Sequence, residues 1–442
     1  MTERLVVIGG DAGGMAAAAQ AKRMRGDDLE VIALERGTRT SYAACGIPFF
    51  VGGAIGALDD LVARSPEEHR RRGIDVRLRH EATGIDLDAR RVEVADLDAG
   101  TATSIGFDQL VIGTGARPLR PPIPGIDGPG IHGVQTLDDA QRLVEAAGER
   151  ACREVVVVGA GYIGLEMAEA FCRRGSKVTV LDAAPQVMRT LDADMAELVL
   201  AAMAGYDIDV RLGVSITGFE PGRVVTADGD VPADLVVLGM GVTPNSELAA
   251  AAGLTLGVRN AIRVDRRQRT SAPGVWAAGD CCESFHRVLG EPTHVALGTV
   301  ANRQARVAGI NIGGGYASFP GVIGTAVTKI CETEIGRTGL TEAEAVAAGF
   351  AVEVGKATAT TRAHYYPGSV PITVKLVTER GTGRLLGGQI VGGPGSGKRI
   401  DTIATAVWAR MAGAELIDLD LSYAPPFSPV WDPVQTAARQ LA

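Results

Sequence analysis

Three features of the 442-residue chain predict an α/β architecture: two doubly wound, Rossmann-like lobes followed by a C-terminal α+β domain. The first is RLVVIGGDAGGMAAAAQAKRM…DLEVIALERG, which reads as a short apolar strand, a Gly-rich turn, a small-residue helix and a second strand ending at Glu35. The second is the return of that pattern at REVVVVGAGYIGLEMAEAFCRRGSKVTVLDAAP, from Arg153 to Pro185, with Asp182 closing its second strand. The third is a change of texture near Gly321, where strands such as ITVKLVTE and LLGGQIVGG alternate with helical EAEAVAAG and DTIATAVWARMAGA.

Between the two βαβ units, DQLVIGTGARPLRPPIPGIDGPG is a buried strand that runs into a Pro/Gly-rich crossing. Later, ADLVVLGMGVTPN and GVWAAGD read as strands leading back to the first lobe. The expected boundaries are 1–115 and 241–320 for the two parts of the first lobe, 116–240 for the second lobe and 321–442 for the last domain. Net charge is −8 and the basic residues are scattered apart from Arg70 to Arg72, so no nucleic acid partner is expected. No apolar run reaches the ~18 residues of a membrane span, and the first strand begins so close to Met1 that no secretion leader is expected. Six cysteines, at 45, 152, 172, 281, 282 and 331, make no disulfide framework in a chain of this length, so a reducing cytoplasm is the expected location.

Gly159-x-Gly161-x-x-Gly164, enclosing Tyr162 and Ile163, has all three glycines of a phosphate-cradling turn. One makes the turn, one admits a pyrophosphate to backbone N–H groups, and one packs helix on strand. Asp182, eighteen residues past Gly164, can accept from a ribose 2′-OH and would repel a 2′-phosphate, so NADH is expected over NADPH. The first unit is less regular: Gly9-Gly10-Asp11-Ala12-Gly13-Gly14 puts Asp11 where the middle glycine is expected, and a carboxylate facing a pyrophosphate costs affinity unless it points away. Its simplest alternative is a Gly-rich turn without ligand. Against that stands Glu35, twenty-one residues past Gly14, and the strand that delivers Asp280 after Gly279, where a carboxylate can accept from a sugar-alcohol chain.

In order along the whole chain, the first Gly-rich turn, TGARP at Thr114 to Pro118, the second GxGxxG and APGVWAAGD resemble the two-dinucleotide-binding-domain flavoproteins of the pyridine nucleotide–disulfide oxidoreductase class. The resemblance implies FAD in the first lobe, NAD(P)H in the second, and a C-terminal dimerisation domain that forms a homodimer. The cofactor-binding positions are then Gly9, Gly10, Asp11, Ala12, Gly13, Gly14, Glu35, Arg36, Thr114, Gly115, Gly159, Gly161, Tyr162, Ile163, Gly164, Asp182, Gly241, Gly279 and Asp280.

Glutathione reductase-like members use a Cys-x4-Cys disulfide and a C-terminal His-Pro pair; here position 50 is Phe and the last histidine is His364. SYAACGIPFF, Ser41 to Phe50, instead resembles the single-cysteine branch of coenzyme A-disulfide reductases, NADH oxidases, NADH peroxidases and persulfide reductases. Cys45 would cycle through a mixed disulfide, persulfide or sulfenic acid. Gly46 and Pro48 suit a helix's first turn, whose free N–H groups favour a thiolate; the bland alternative is a buried structural thiol. Cys152, Cys172 and Cys331 read as core residues, as does the pair Cys281–Cys282, and no metal site is expected.

Ala12 stands where the oxidases and peroxidases carry His, which counts against both. HYYPGSVP and SYAPPFSP resemble the coenzyme A-disulfide reductase pattern, implying that Tyr366 and Tyr423 reach the partner subunit's active centre and protonate a departing thiolate. Gln20, Arg23, Ser41 and Arg72 match the coenzyme A path by position, whereas Ala44 and Trp431 stand where Asn and Lys are common. The expected reaction is FAD-dependent reduction of a low-molecular-weight disulfide, foremost coenzyme A disulfide, through Cys45. Persulfide or polysulfide reduction, NADH oxidation and a flavin-bearing redox sensor are the alternatives. GGPGSGKR nearly spells a P-loop, but Arg399 replaces the Ser/Thr that would bind Mg²⁺, so it reads as a basic surface turn.

Overall fold

The computed structural model describes residues 2–148 and 153–441, so Cys152 lies outside the described residues. Strand Glu3–Ile8 is central in the first sheet because LVVI is apolar on both faces: Leu5, Val6 and Val7 are fully buried, each worth about 1.5–3 kcal/mol relative to exposure. The sheet runs Val275–Ala277, Gln109–Ile112, Glu3–Ile8, Leu29–Glu35, Ile74–Leu78, all parallel. Val6 lies opposite both Ile32 and Leu110. This register brings Gly9, Glu35 and Gly113 to the carboxyl edge together, where a doubly wound sheet opens a ligand crevice. Helix Ala12–Arg25 packs on helix Gly298–Ile312, and Gly309 permits the contact, since a Cβ there would meet Ala17 O at 2.6 Å.

The second lobe repeats the plan with the order Ile208–Leu212, Lys177–Asp182, Glu154–Val158, Leu235–Leu238, Ile131–Gly133. Helix Tyr162–Arg173 follows the central strand and buries Leu165, Met167, Ala168 and Phe171. Each lobe also carries a three-stranded antiparallel sheet that the sequence reading did not foresee, at His80–Asp86, Arg91–Asp96 and Thr101–Gly106 in one and Ile216–Glu220, Arg223–Thr226 and Gly229–Pro232 in the other. The crossings between lobes are stapled: Ala116–Pro118 pairs antiparallel with Val242–Pro244, and Asn245 Nδ2 donates to Thr114 O at 2.9 Å while Thr114 Oγ1 donates to Asn245 O at 2.6 Å.

The last domain is a five-stranded antiparallel sheet, Ala326–Ile330, Thr333–Gly339, Leu385–Gly392, Pro371–Glu379, Val352–Thr360, flanked by helices Glu342–Ala347, Ile400–Ala409 and Pro433–Ala438. It is fixed to the second lobe through Lys375, 4% exposed, whose Nζ meets Asp192, Asp194 and Glu342 at 3.1, 3.0 and 2.8 Å. Those three carboxylates push its pKa well up despite burial. Cys331 closes the tight turn between the first two strands at φ 54°, and burial pushes its thiol up to about 12. Among the described residues, no helix is long and apolar enough to cross a membrane.

Candidate active site

The loop after strand Leu29–Glu35 carries the cysteine and is pinned at several points. Ser41 N donates to Gly10 O at 3.0 Å, Ala63 N to Ser41 O at 2.8 Å, and Ala43 N to Leu61 O at 2.8 Å. A 3₁₀ turn, Ala44–Gly46, holds Cys45, and a five-residue helix, Ile47–Val51, follows. Gly46 is required by packing, because a Cβ would fall 2.2 Å from Leu61 Cδ2. Cys45 is free and exposed. The protein mass around it nevertheless pushes its pKa up, as do Glu166, Asp280 and Asp11. Cys45 precedes the helix instead of opening it, and against these effects only its own backbone N–H favours the thiolate. The same three carboxylates locate it, since they come from the second lobe's helix, the returning strand and the first Gly-rich turn.

The residues of the first turn fit a dinucleotide. Gly9 has φ 108°, and a Cβ on Gly14 would lie 1.9 Å from Gly9 O, so helix and strand approach as a pyrophosphate cradle needs. Glu35 accepts from Gly10 N and Gly37 N, both at 2.7 Å, which aims it at the edge of the turn. Arg36 is drawn outward to Glu81 at 3.9 Å. Asp11 accepts from Tyr42 N of the cysteine loop at 3.1 Å, with Ala12 N–H also beside it; burial, with Glu35 and Asp280 nearby, pushes it up to about 6. Ala12 opens the helix. Gly13 backs onto Ala278 O, where a Cβ would come within 2.6 Å. Asp280 follows Gly279 (φ 92°) and is pushed up to about 6 by burial alone; among the described residues no donor reaches its carboxylate, as suits a group meant for a ligand hydroxyl.

The second turn is a near copy. Gly159 has φ 108°, Gly164 would place a Cβ 1.8 Å from Gly159 O, and Asp182 accepts from Ala160 N at 2.6 Å and Ala184 N at 2.8 Å. Gly161 N-caps the helix that Tyr162, Ile163 and Gly164 begin, and Gly241 turns the chain at φ 96°. Tyr162 is half-buried, and its buried hydroxyl is set beside Thr190. Gly115, at φ 66°, stands beside Thr114 in the crossing already described.

The remaining sequence candidates separate into groups. Gln20 and Arg23 are joined by a 3.0 Å hydrogen bond on the first helix. Ser41 and exposed Arg72 both meet at His69: Ser41 Oγ lies 2.9 Å from its Nε2, and Arg72 helps lower its pKa. Tyr366 is half-buried, whereas Tyr423 is 48% exposed and hydrogen-bonds Tyr365. Exposed Phe427, Val430 and Trp431 continue that surface. Cys281 and Cys282 are buried in the first lobe's core, their thiols donating to Ile112 O and Gly279 O, both at 3.4 Å. The P-loop-like turn is filled by the protein itself, since Glu334 accepts from Gly395 N at 3.1 Å and Gly397 N at 2.7 Å.

Glu166 and His69 were not singled out from sequence. Glu166 follows Gly164 by two positions in GYIGLE and packs under the last domain, where Thr328 Oγ1 donates to it; burial raises its pKa.

This fold and this pair of turns define a two-dinucleotide oxidoreductase with a separate last domain. The chain belongs to the pyridine nucleotide-disulphide oxidoreductase family, whose pattern matches residues 3–305, with the family's dimerisation domain matching residues 325–433. It is 39% identical to an NADH oxidase of Methanocaldococcus jannaschii over 99% of this chain and 98% of that one. It is also 39% identical to the NAD(P)H coenzyme A polysulfide/persulfide reductase of Pyrococcus horikoshii, over 100% and 99%. Among solved structures, reduced Bacillus anthracis CoADR-RHD superposes with a TM-score of 0.96 at 33% identity, covering 99% of this chain and 80% of that chain.

Proposed function

We propose that the chain is an NADH-dependent reductase of a low-molecular-weight disulfide, foremost coenzyme A disulfide, acting as a cytoplasmic homodimer through Cys45. The observation that carries this reading is the free, exposed Cys45, whose thiol feels Glu166 just past the second nucleotide turn together with Asp280 and Asp11 of the first lobe. FAD, when bound, would accept hydride and pass on an electron pair. Glu35 and Asp280 would hold its sugar hydroxyls, and Gly9 to Gly14 its phosphates. Asp182, fixed by two backbone N–H groups, suits a 2′-OH and opposes a 2′-phosphate, which favours NADH.

Cys45 Sγ attacks one sulfur of the substrate, the S–S bond breaks, and a mixed disulfide forms as the first thiolate leaves. Tyr366 or Tyr423, reaching across the homodimer, gives that leaving sulfur its proton. Two electrons then cleave the mixed disulfide, releasing the second thiolate, which takes its proton from solvent, and returning Cys45 as a thiolate. The raised thiol pKa is therefore compatible with turnover, because reductive cleavage produces the anion without removing a proton from a resting thiol. Persulfide reduction is the second reading: Ala44 offers no polar anchor and Trp431 no cation, which suits a smaller sulfur donor, and the P. horikoshii relative is named for it.

NADH consumption with coenzyme A disulfide, with coenzyme A persulfide and with dioxygen alone separates these readings. Saturable turnover with the disulfide that exceeds the other two is expected. Stoichiometric oxygen uptake without added disulfide would instead make the protein an oxidase, and no turnover with any of the three would leave the redox sensor.

A further inference from the structure

His69 packs against the cysteine loop. It is 1% exposed, sits in the short helix Pro66–Arg70, and places Nε2 2.9 Å from Ser41 Oγ, four residues before Cys45. Its Nδ1 is buried without a partner. Burial lowers its pKa, as do Arg64 and Arg72, while Glu68 opposes them, so the ring is neutral at physiological pH and carries one proton. An orphaned N–H buried from water is rarer and costlier than an under-used acceptor lone pair. The proton therefore belongs on Nε2, which donates to Ser41 Oγ.

That assignment decides what Ser41 can do. Thr40 Oγ1, the other hydroxyl at hand, already donates to Gly10 O and lies 3.5 Å from Ser41 Oγ. Ser41 itself is held at φ 49° by Gly10 O and Ala63 N, so its side chain leaves the backbone in a fixed direction. With its oxygen accepting from His69, its own proton has within the protein only the long 3.5 Å contact to Thr40 Oγ1, a weak acceptor at that range that a closer anionic oxygen outcompetes. We propose that His69 is a positioning residue that makes Ser41 a hydrogen-bond donor to an anionic oxygen of the bound substrate. This rests on the reading of Ser41 as a substrate contact.

The test uses the FAD-loaded dimer, coenzyme A disulfide as probe, and four variants: His69→Phe, His69→Gln, Ser41→Ala and the double variant of Ser41→Ala with His69→Phe. His69→Phe and Ser41→Ala should each raise KM roughly tenfold, the value of one hydrogen bond, with kcat unmoved. The double variant should match Ser41→Ala, and His69→Gln, whose amide N–H can replace Nε2–H, should recover most of the loss. A wild-type KM in His69→Phe, additive effects in the double variant, or a kcat that falls with KM would overturn the proposal. Ring ¹⁵N spectra of the six histidines give a readout independent of turnover. An Nε2–H tautomer that stays neutral below the ordinary histidine range, and whose N–H signal moves in Ser41→Ala, is expected; an Nδ1–H tautomer overturns the proposal. Failure of the coenzyme A reading would show differently, as a wild-type protein inert toward the disulfide with the Nε2–H tautomer intact.

Discussion

At Cys45 the local fold opposes ionisation: burial and three carboxylates all act in one direction. Removing one of those charges should therefore make the thiol more acidic. Glu166→Gln is expected to shift the pH profile of Cys45 alkylation downward, measured on the flavin-free protein with iodoacetamide and peptide mapping; an unmoved or raised profile would remove Glu166 from the cysteine's surroundings. Cys45 was singled out through the resemblance that SYAACGIPFF carries, and it is free and exposed. Glu166 and His69 were not singled out, because what marks them is burial, and burial is decided by the last domain over one and by the cysteine loop over the other.

Among the elements, the two Gly-rich turns were the clearest part of the sequence, since a strand, a turn that needs φ near 108° at its first glycine, and a helix leave few other arrangements. What the sequence did not reveal was the direction of Asp11. Its carboxylate turns to Tyr42 N and so couples the first turn to the cysteine loop. Asp11 and Asp280 both reach about 6, from a starting value of 3.8, chiefly through burial. At these two groups folding therefore takes up protons between those values, and their contribution to the stability of the flavin-free chain should fall as pH rises from about 4 to 6 and not return above. Each carboxyl contributes on the order of 1–3 kcal/mol. Denaturant titrations across that window measure this, and Asp280→Asn should flatten the slope. A slope that Asp280→Asn leaves unchanged would contradict the assignment.

For the whole molecule, the three-part plan followed from the repeat and the change of texture near Gly321, but the joint between second lobe and last domain did not. Lys375 lies in ITVKLVTE, where alternation makes a lysine look like a solvent-facing residue. It is instead buried against Asp192, Asp194 and Glu342. Lys375→Met would leave Asp192 buried without its cation, and a loss of about 3 kcal/mol is expected from urea midpoints; a loss under ~1 kcal/mol would show the cluster to be as dispensable as a surface ion pair.

The proposed turnover depends on one sulfur that works without a cysteine partner. Intact-protein and peptide mass spectrometry of the unreduced enzyme, before and after NADH, tests it directly. A single thiol adduct on Cys45, lost on adding NADH and regained with the substrate disulfide, is the predicted result. A bond from Cys45 to another cysteine of the chain, or disulfide turnover that survives Cys45→Ser, would contradict it.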